Sequence, residues 1–446
     1  MPPPRQGDRK KPPSSSKSKP QRSRQSAKQS GRKASNNADN PAGDANPTLI
    51  DFSAAIPISL QQLLLDVFKT ALLAPPTEHK PSPTASQESN EPSNAPDESE
   101  PLDTKPLIQT IKSHLYQRDF DSAFTDAGED LLRAYALRWS AARALGYAGL
   151  FRAVLGWMHT PRDSDTDTSH PVAGGNGTRV VCIGGGAGAE IVALAAAWRD
   201  LAMATGVETL GQRVTEVSLD ERQRDTQSAE ADGQVEAGSS GPPGLSVAAV
   251  DIADWSSVVE RLSRTIASAE VPASFISKHQ PPLVSEAEGV SVLFRRADVL
   301  TLPELDLKDV LLGTHDEASA AGSLLVTLMF TLNELFSTSM AKTTGLLLRM
   351  TDLLPSGAVL LVVDSPGSYS TLKLGKGNDG AAQERKYPMK FLLDHTLLSV
   401  AEGKWERIYS QDSRWWRRDA TRLRYDVGEG AGLEDMRFQV HVYRRI

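Results

Sequence analysis

The sequence predicts an α/β fold: a Rossmann-like sheet of mostly parallel strands, covered by helices on both faces and preceded by a helical region. Three observations predict it. Residues 180–183 (Val-Val-Cys-Ile) form a continuous apolar run, as a strand buried on both faces does. Four further apolar runs follow, SVAAVD (246–251), VSVLFRRADVL (290–300), SLLVTLMFTLNELF (323–336) and SGAVLLVVDSPGSY (356–369), separated by segments with helical spacing. These runs carry acidic or polar residues at their ends, and in open α/β sheets ligands gather at the carboxyl ends of the strands.

The first run leads directly into Gly184, Gly186 and Gly188, and Glu190 then opens a segment rich in Ala, Leu and Val. Glycine lets the backbone turn sharply and lets a ligand approach it with no Cβ in the way. A tight βα turn without any ligand is the plainer reading. A dinucleotide fingerprint wants G-x-G-x-x-G, with the pyrophosphate on the helix N-terminus. Here the spacing is G-x-G-x-G with an acid two residues on, the pattern of S-adenosylmethionine sites. A carboxylate at the helix entrance repels a pyrophosphate and suits the cationic amino-acid end of that cofactor.

The other strand ends add candidates. Asp251 stands where ribose hydroxyls are held in nucleoside-binding folds, or it caps the following helix. Asp298 stands where an acid commonly faces an adenine amino group in methyltransferases, or it serves the local turn. Asn333 and Glu334 end the fourth run. A Glu there can accept a proton from a ring imide nitrogen, and it can equally cap a helix. Asp364 ends the fifth run before a Pro-Gly turn.

Composition sets bounds. The chain has 446 residues and a hydrophobic fraction of 39%, low for a compact globular protein because polar tracts dilute it. Cys182 is the single cysteine, which excludes an internal disulfide and a Cys-based metal cluster and points to a reducing, intracellular setting. It also excludes cytosine-C5 methylation, which needs a free cysteine nucleophile rather than one inside a strand. No metal-ligand spacing, P-loop or serine-triad signature is present, nor the [DNS]-P-P-[YFW] tetrapeptide used on exocyclic amino groups. No apolar run approaches membrane-spanning length, and the N-terminus lacks the apolar core of a signal peptide. Net charge is −7, yet residues 1–33 carry eleven Lys or Arg against one acid, Asp8. Such an arm is a generic RNA ligand, resembles a nuclear-import signal, or is simply a solvated tail.

In chain order, residues 1–47 read as a disordered basic tail, and 48–158 as a helical region with a disordered linker at 75–105. Helical spacing predicts a helix over 59–74, with Ser59 and Gln62 as a capping box. That helix docks on the body of the protein or on a partner. Further helices are predicted over 106–117 and about 125–158. The latter interleaves Arg133, Arg138, Arg143 and Arg152 with Tyr135, Trp139, Tyr147 and Trp157, either an RNA face or core aromatics with arginines on the wet side. Residues 172–446 form the Rossmann-like domain, with a helix at 188–204, a disordered insertion at 206–244, helices at 254–268 and 337–353, and a closing antiparallel strand at 436–446.

VVCIGGGAGAE (180–190), the whole block 323–369, WWRR (415–418) and MRFQVHVYRR (436–445) resemble the fungal methyltransferases that place uridine-N3-methyl marks on large-subunit (25S) ribosomal RNA. The similarity extends to the helix at 59–74 and to RWSAARALGY (138–147). It implies a class I methyltransferase with a seven-stranded sheet, S-adenosylmethionine held by Gly184, Gly186, Gly188 and Glu190 with Asp251 and Asp298, a substrate in ribosomal RNA or a pre-ribosomal particle, a monomer, and a nuclear or nucleolar location with some cytoplasmic protein. Asn333 and Glu334 as catalytic groups come from the residues alone. Three basic clusters are candidate RNA contacts: the N-terminal arm; Lys373, Lys376, Arg385, Lys386 and Lys390; and the arginines of 414–424 around Trp415 and Trp416, which combine charge with stacking surface. The alternatives are a methyltransferase-like assembly factor without catalysis and a nicotinamide-dependent oxidoreductase, the latter opposed by the glycine spacing and Glu190.

Overall fold

Nine strands are described, seven of them in one sheet of order β3-β2-β1-β4-β5-β9-β8. They are β1 (Gly177–Ile183), β2 (Leu245–Asp251), β3 (Val290–Arg296), β4 (Ala321–Met329), β5 (Val359–Asp364), β8 (Trp405–Trp416) and β9 (Met436–Arg445). β1 to β5 pair in parallel, while β9 runs antiparallel to both β5 and β8. The computed structural model describes residues 50–53, 55–74, 102–160, 177–220, 244–272, 279–285, 289–313, 321–367, 369–376 and 382–446. The tail 1–47 and most of the linker 75–105 lie outside the described residues.

The apolar runs work because a strand's side chains alternate between faces. Val180 and Cys182 enter one buried core, and Val181 and Ile183 enter the other. The first core is closed by α1 (Ile58–Leu73), α4 (Ala141–His159), α5 (Ala189–Asp220) and α6 (Ser256–Ile266). The second is closed by α7 (Glu304–Leu312), α8 (Leu332–Thr338), α9 (Met340–Leu353) and α10 (Met389–Asp394).

Strand 4 ends earlier than the expected 323–336. Phe330 takes a left-handed φ of 58°, which turns the chain out of the sheet. Leu332 and Phe336 then bury one side of α8. A continuous apolar run cannot tell a strand from the buried face of a helix, so Asn333 and Glu334 sit in a first helical turn rather than at a strand end. Helix α5 likewise runs on to Asp220, so the insertion expected over 206–244 begins as helix; residues 221–243 lie outside the described residues. A hairpin of β6 (Tyr369–Lys376) and β7 (Ala382–Pro388) carries the basic cluster Lys373, Lys376, Arg385 and Lys386.

The helical region shares the first core. Helix α1 is buried on most of its circumference. The Gln62 side-chain amide donates to the Arg424 carbonyl at 2.9 Å and accepts from the Arg424 N–H at 2.8 Å, pinning α1 to the C-terminal segment. The expected capping box is therefore absent: Gln62 is engaged elsewhere, and the Ser59 hydroxyl pairs with His279. After α2 (Thr104–Gln117) come a π-helical turn (Asp121–Thr125), α3 (Glu129–Tyr135) and a second π turn (Ala136–Ser140) that leads into α4.

Tyr135, Tyr147 and Trp157 are core residues, as one of the two readings expects, but Arg133, Arg138 and Arg152 make tertiary contacts instead of standing free on a wet face. Arg133 is buried and donates to the carbonyls of Leu72 and Ala74, capping the C-terminus of α1. Arg138 pairs with Glu434, and Arg152 with Asp200.

Candidate active site

A cavity of about 590 Å³ opens at the carboxyl ends of β1, β2, β4 and β5. Its wall includes Gly184, Glu190, Asp251, Asp298, Asn333, Glu334 and Asp364, contributed by segments far apart in sequence. Gly186 and Gly188 do not reach this wall. They shape the turn behind it: a Cβ on Gly186 would lie 2.8 Å from the Asp251 Cβ and against the Trp255 ring, and Gly188 has a φ of +81°. Gly184, at φ +79°, brings bare backbone to the cavity.

Each carboxylate has a defined setting. Asp251 accepts the N–H of Gly186 at 3.2 Å and of Ala253 at 3.1 Å, so it braces the glycine turn while facing the cavity. Burial raises its pKa, and those N–H groups oppose the shift. Asp298 accepts from the Leu300 N–H and the Thr301 hydroxyl, each at 3.0 Å, which makes it a turn residue as well as a wall residue. Glu190 lies in the first turn of α5, where burial pushes its carboxyl up to about 8. Its Oε1 is buried without a hydrogen-bond partner.

On the opposite wall, the Asn333 N–H donates to Asp364 Oδ2 at 3.0 Å, and Asn333 Oδ1 is buried without a partner. Asp364 is buried at the end of β5 and raised by that burial to about 6. Glu334, one residue on, is exposed at the cavity.

The helical region supplies wall residues that the strand pattern could not indicate. Phe124, Tyr135, Arg143 and Tyr147 line the cavity together with Trp255 and Phe330. The Arg143 guanidinium donates to Tyr135 Oη at 3.0 Å and lies 5.3 Å from the Phe330 ring centre. The Tyr135 ring packs on Phe124 and Trp255 at 5.0 and 5.7 Å between centres. The basic-aromatic interleaving of 133–157 was the available signal, although it reads equally as a surface.

Residues 87–444 match a family described as "Putative SAM-dependent methyltransferase". The chain belongs to this family. The methyltransferase is also 31% identical, over 75% of its own length and 76% of the relative's, to the Saccharomyces cerevisiae protein named 25S rRNA (uridine(2843)-N(3))-methyltransferase. Among solved structures, a SAM-dependent methyltransferase from Methanosarcina mazei aligns at 11% identity over 61% of this chain and 93% of that one, with a TM-score of 0.29. The antibiotic-resistance methyltransferase Kmr aligns at 14% identity over 66% and 93%, with a TM-score of 0.28.

The cavity of the methyltransferase fits S-adenosylmethionine. Gly184 lines the cavity in a left-handed turn against which the Thr331 side chain packs, and the unpartnered Glu190 Oε1 can accept from a cationic donor. Gly184, Glu190, Asp251 and Asp298 would hold it, with Gly186 and Gly188 setting the turn.

The expected RNA clusters differ in availability. Arg414 donates to the carbonyl of Phe52, Arg417 pairs with Asp435 at 2.9 Å, and Arg422 pairs with Asp419 at 2.6 Å, so much of that charge is internally matched. Trp415 is nonetheless 52% exposed, with Arg417 and Arg437 at 4.7 and 5.8 Å from its ring centre. Trp416 packs against the first core. Lys390 pairs with Asp412, while Lys386 is exposed on β7. The N-terminal arm lies outside the described residues, in which no helix is long and apolar enough to cross a membrane.

Proposed function

We propose that the protein transfers a methyl group from S-adenosylmethionine to N3 of a uridine in large-subunit ribosomal RNA, acting on a pre-ribosomal particle in the nucleus. The relative at 31% identity, matched over three quarters of both chains, carries this reading. The cavity supports it, because an imide nitrogen needs alignment and the loss of one proton rather than a covalent nucleophile.

When bound, S-adenosylmethionine supplies an electrophilic methyl carbon. The chain's own residues then have two tasks. Asn333, at the cavity wall, orients the ring by donating from its side-chain amide to a ring carbonyl, which leaves the N3–H free. Glu334, exposed at the same wall, would take the N3 proton, so that the freed nitrogen pair could bond the methyl carbon as the methyl–sulfur bond breaks and its electrons return to sulfur. The target base leaves its stack to reach this cavity.

The test is methylation of large-subunit rRNA by purified protein with labelled S-adenosylmethionine, followed by nucleoside mass spectrometry. The expected product is 3-methyluridine. A methyl group on another base, or on a ribose, would overturn the reading. Asn333→Ala and Glu334→Gln are expected to lower the methyl-transfer rate more than the affinity for S-adenosylmethionine.

A further inference from the structure

Arg143 is set apart from the other arginines of its stretch. It comes from α4 in the helical region, not from the sheet, yet it lines the cavity. Its one hydrogen bond goes to Tyr135 Oη, and Phe330 covers a face of the guanidinium. It forms no ion pair with any described carboxylate, in contrast to Arg138 and Arg152 on the same stretch. A guanidinium carries five N–H donors in a planar fork, and one is used here. The remaining donors face a cavity that also presents the unpartnered Oε1 of Glu190. Arg143 and Glu190 line the same cavity, and the guanidinium favours the ionised form of the buried carboxyl.

We propose that Arg143 anchors the carboxylate at the amino-acid end of S-adenosylmethionine, with Glu190 taking the ammonium on the same carbon. The inference rests on the cofactor reading above and assigns one end of the cofactor. A zwitterion with both charges on one carbon matches a cation and an acid set side by side. An RNA phosphate would meet Arg143 as well, but also the carboxylates of Glu190 and Asp364, which disfavour it. A planar fork suits a carboxylate because both oxygens can be engaged at once. The helical region thereby completes the cofactor site instead of only flanking the sheet.

The experiment is calorimetric binding of S-adenosylmethionine and of its decarboxylated analogue to full-length wild type, Arg143→Gln and Arg143→Lys. The two ligands differ only in the carboxylate. Wild type is expected to prefer the carboxylate form by roughly tenfold or more, the scale of a charge-assisted hydrogen bond. Arg143→Gln is expected to lose that preference by weakening on S-adenosylmethionine alone, with Arg143→Lys in between. Equal weakening on both ligands assigns Arg143 to support of Tyr135 and Phe330 and overturns the inference. So does unchanged binding of S-adenosylmethionine with weakened binding of an rRNA fragment. Should Arg143→Gln fail to fold, as read by circular dichroism, wild type alone still decides: equal affinity for the two ligands overturns the inference. Wild type that binds neither ligand removes the cofactor reading itself, a separate outcome.

Discussion

Asp364 Oδ2 accepts the backbone N–H of Asn333 at 3.0 Å, so the last residue of β5 caps a helix that begins just beyond β4. The helix has no cap of its own, because Thr331 makes no side-chain capping bond. Asp364 also accepts the Ser365 N–H at 2.7 Å, which fixes the carboxylate in place. One buried acid thus sets where the two candidate catalytic side chains, Asn333 and Glu334, stand. Asp364→Ala is expected to destabilise the protein by about 1 kcal/mol, the usual scale for a lost N-cap. It is expected to slow methyl transfer further, because the first turn of α8 loses its position. Asp364→Asn keeps an acceptor oxygen and should retain more of both. Thermal unfolding and single-turnover methylation measure the two effects; an alanine variant with unchanged turnover sinks the argument.

Gly186 is packed so closely that any Cβ must displace Asp251 or Trp255. Asp251 is also the acceptor of the Gly186 N–H, so a shift there disturbs the turn and the acid together. Gly186→Val is expected to weaken S-adenosylmethionine binding at least tenfold while circular dichroism stays close to wild type. Calorimetry checks it, and an unchanged affinity would contradict the assigned role of the turn.

The sheet was legible because four of its strands are doubly buried: the runs of β1, β2, β4 and β5 each feed both cores, while the edge strand β3 packs one side on the first core and exposes Leu293 on the other. Acids at strand ends were legible for the same reason, since Asp251 and Asp364 interrupt apolar runs. What the sequence hid lies where one residue serves two purposes. The run 323–336 contains both a strand and a buried helix face, and only the left-handed Phe330 divides them. The polar alternation of β8 carries little apolar signal. Arg143 could not be told from Arg133, Arg138 and Arg152, because what distinguishes it is the absence of a carbonyl or carboxylate partner, a tertiary property. Gln62 illustrates the converse: a plausible local cap lost to the backbone of Arg424, more than three hundred residues away.

Glu190 makes stability depend on pH with a definite sign. Burial raises its carboxyl from an ordinary value of 4.5 to about 8. Between those values the folded state holds a proton that the unfolded chain has released. Stability therefore falls as pH rises through that window. Asp364, raised from 3.8 to about 6, adds a contribution of the same sign at lower pH. Thermal midpoints of the ligand-free protein are expected to decline from roughly pH 5 to 8, and Glu190→Gln, a neutral isostere, should flatten the upper part of that decline. Parallel curves for the two proteins would show that Glu190 ionises freely.

A variant at Trp415 tests for an RNA contact apart from the cofactor site. Its ring is half exposed on β8 between Arg417 and Arg437, whereas the neighbouring Trp416 packs against the first core. An indole flanked by two guanidinium groups presents a stacking face and positive charge at one place, which a single-stranded base and its phosphate both favour. Arg417 is already paired with Asp435, so the stacking face rather than that charge is the larger contribution. Base–aromatic stacking is worth about 1–3 kcal/mol, or roughly five- to a hundredfold in affinity. Trp415→Ala is accordingly expected to weaken binding of a large-subunit rRNA fragment by at least fivefold at fixed salt, with S-adenosylmethionine affinity unchanged. Trp416→Ala should instead lower the thermal midpoint by opening a cavity in the core. Filter binding and calorimetry on the same preparations distinguish them, and equal rRNA affinity in wild type and Trp415→Ala removes β8 from the RNA interface.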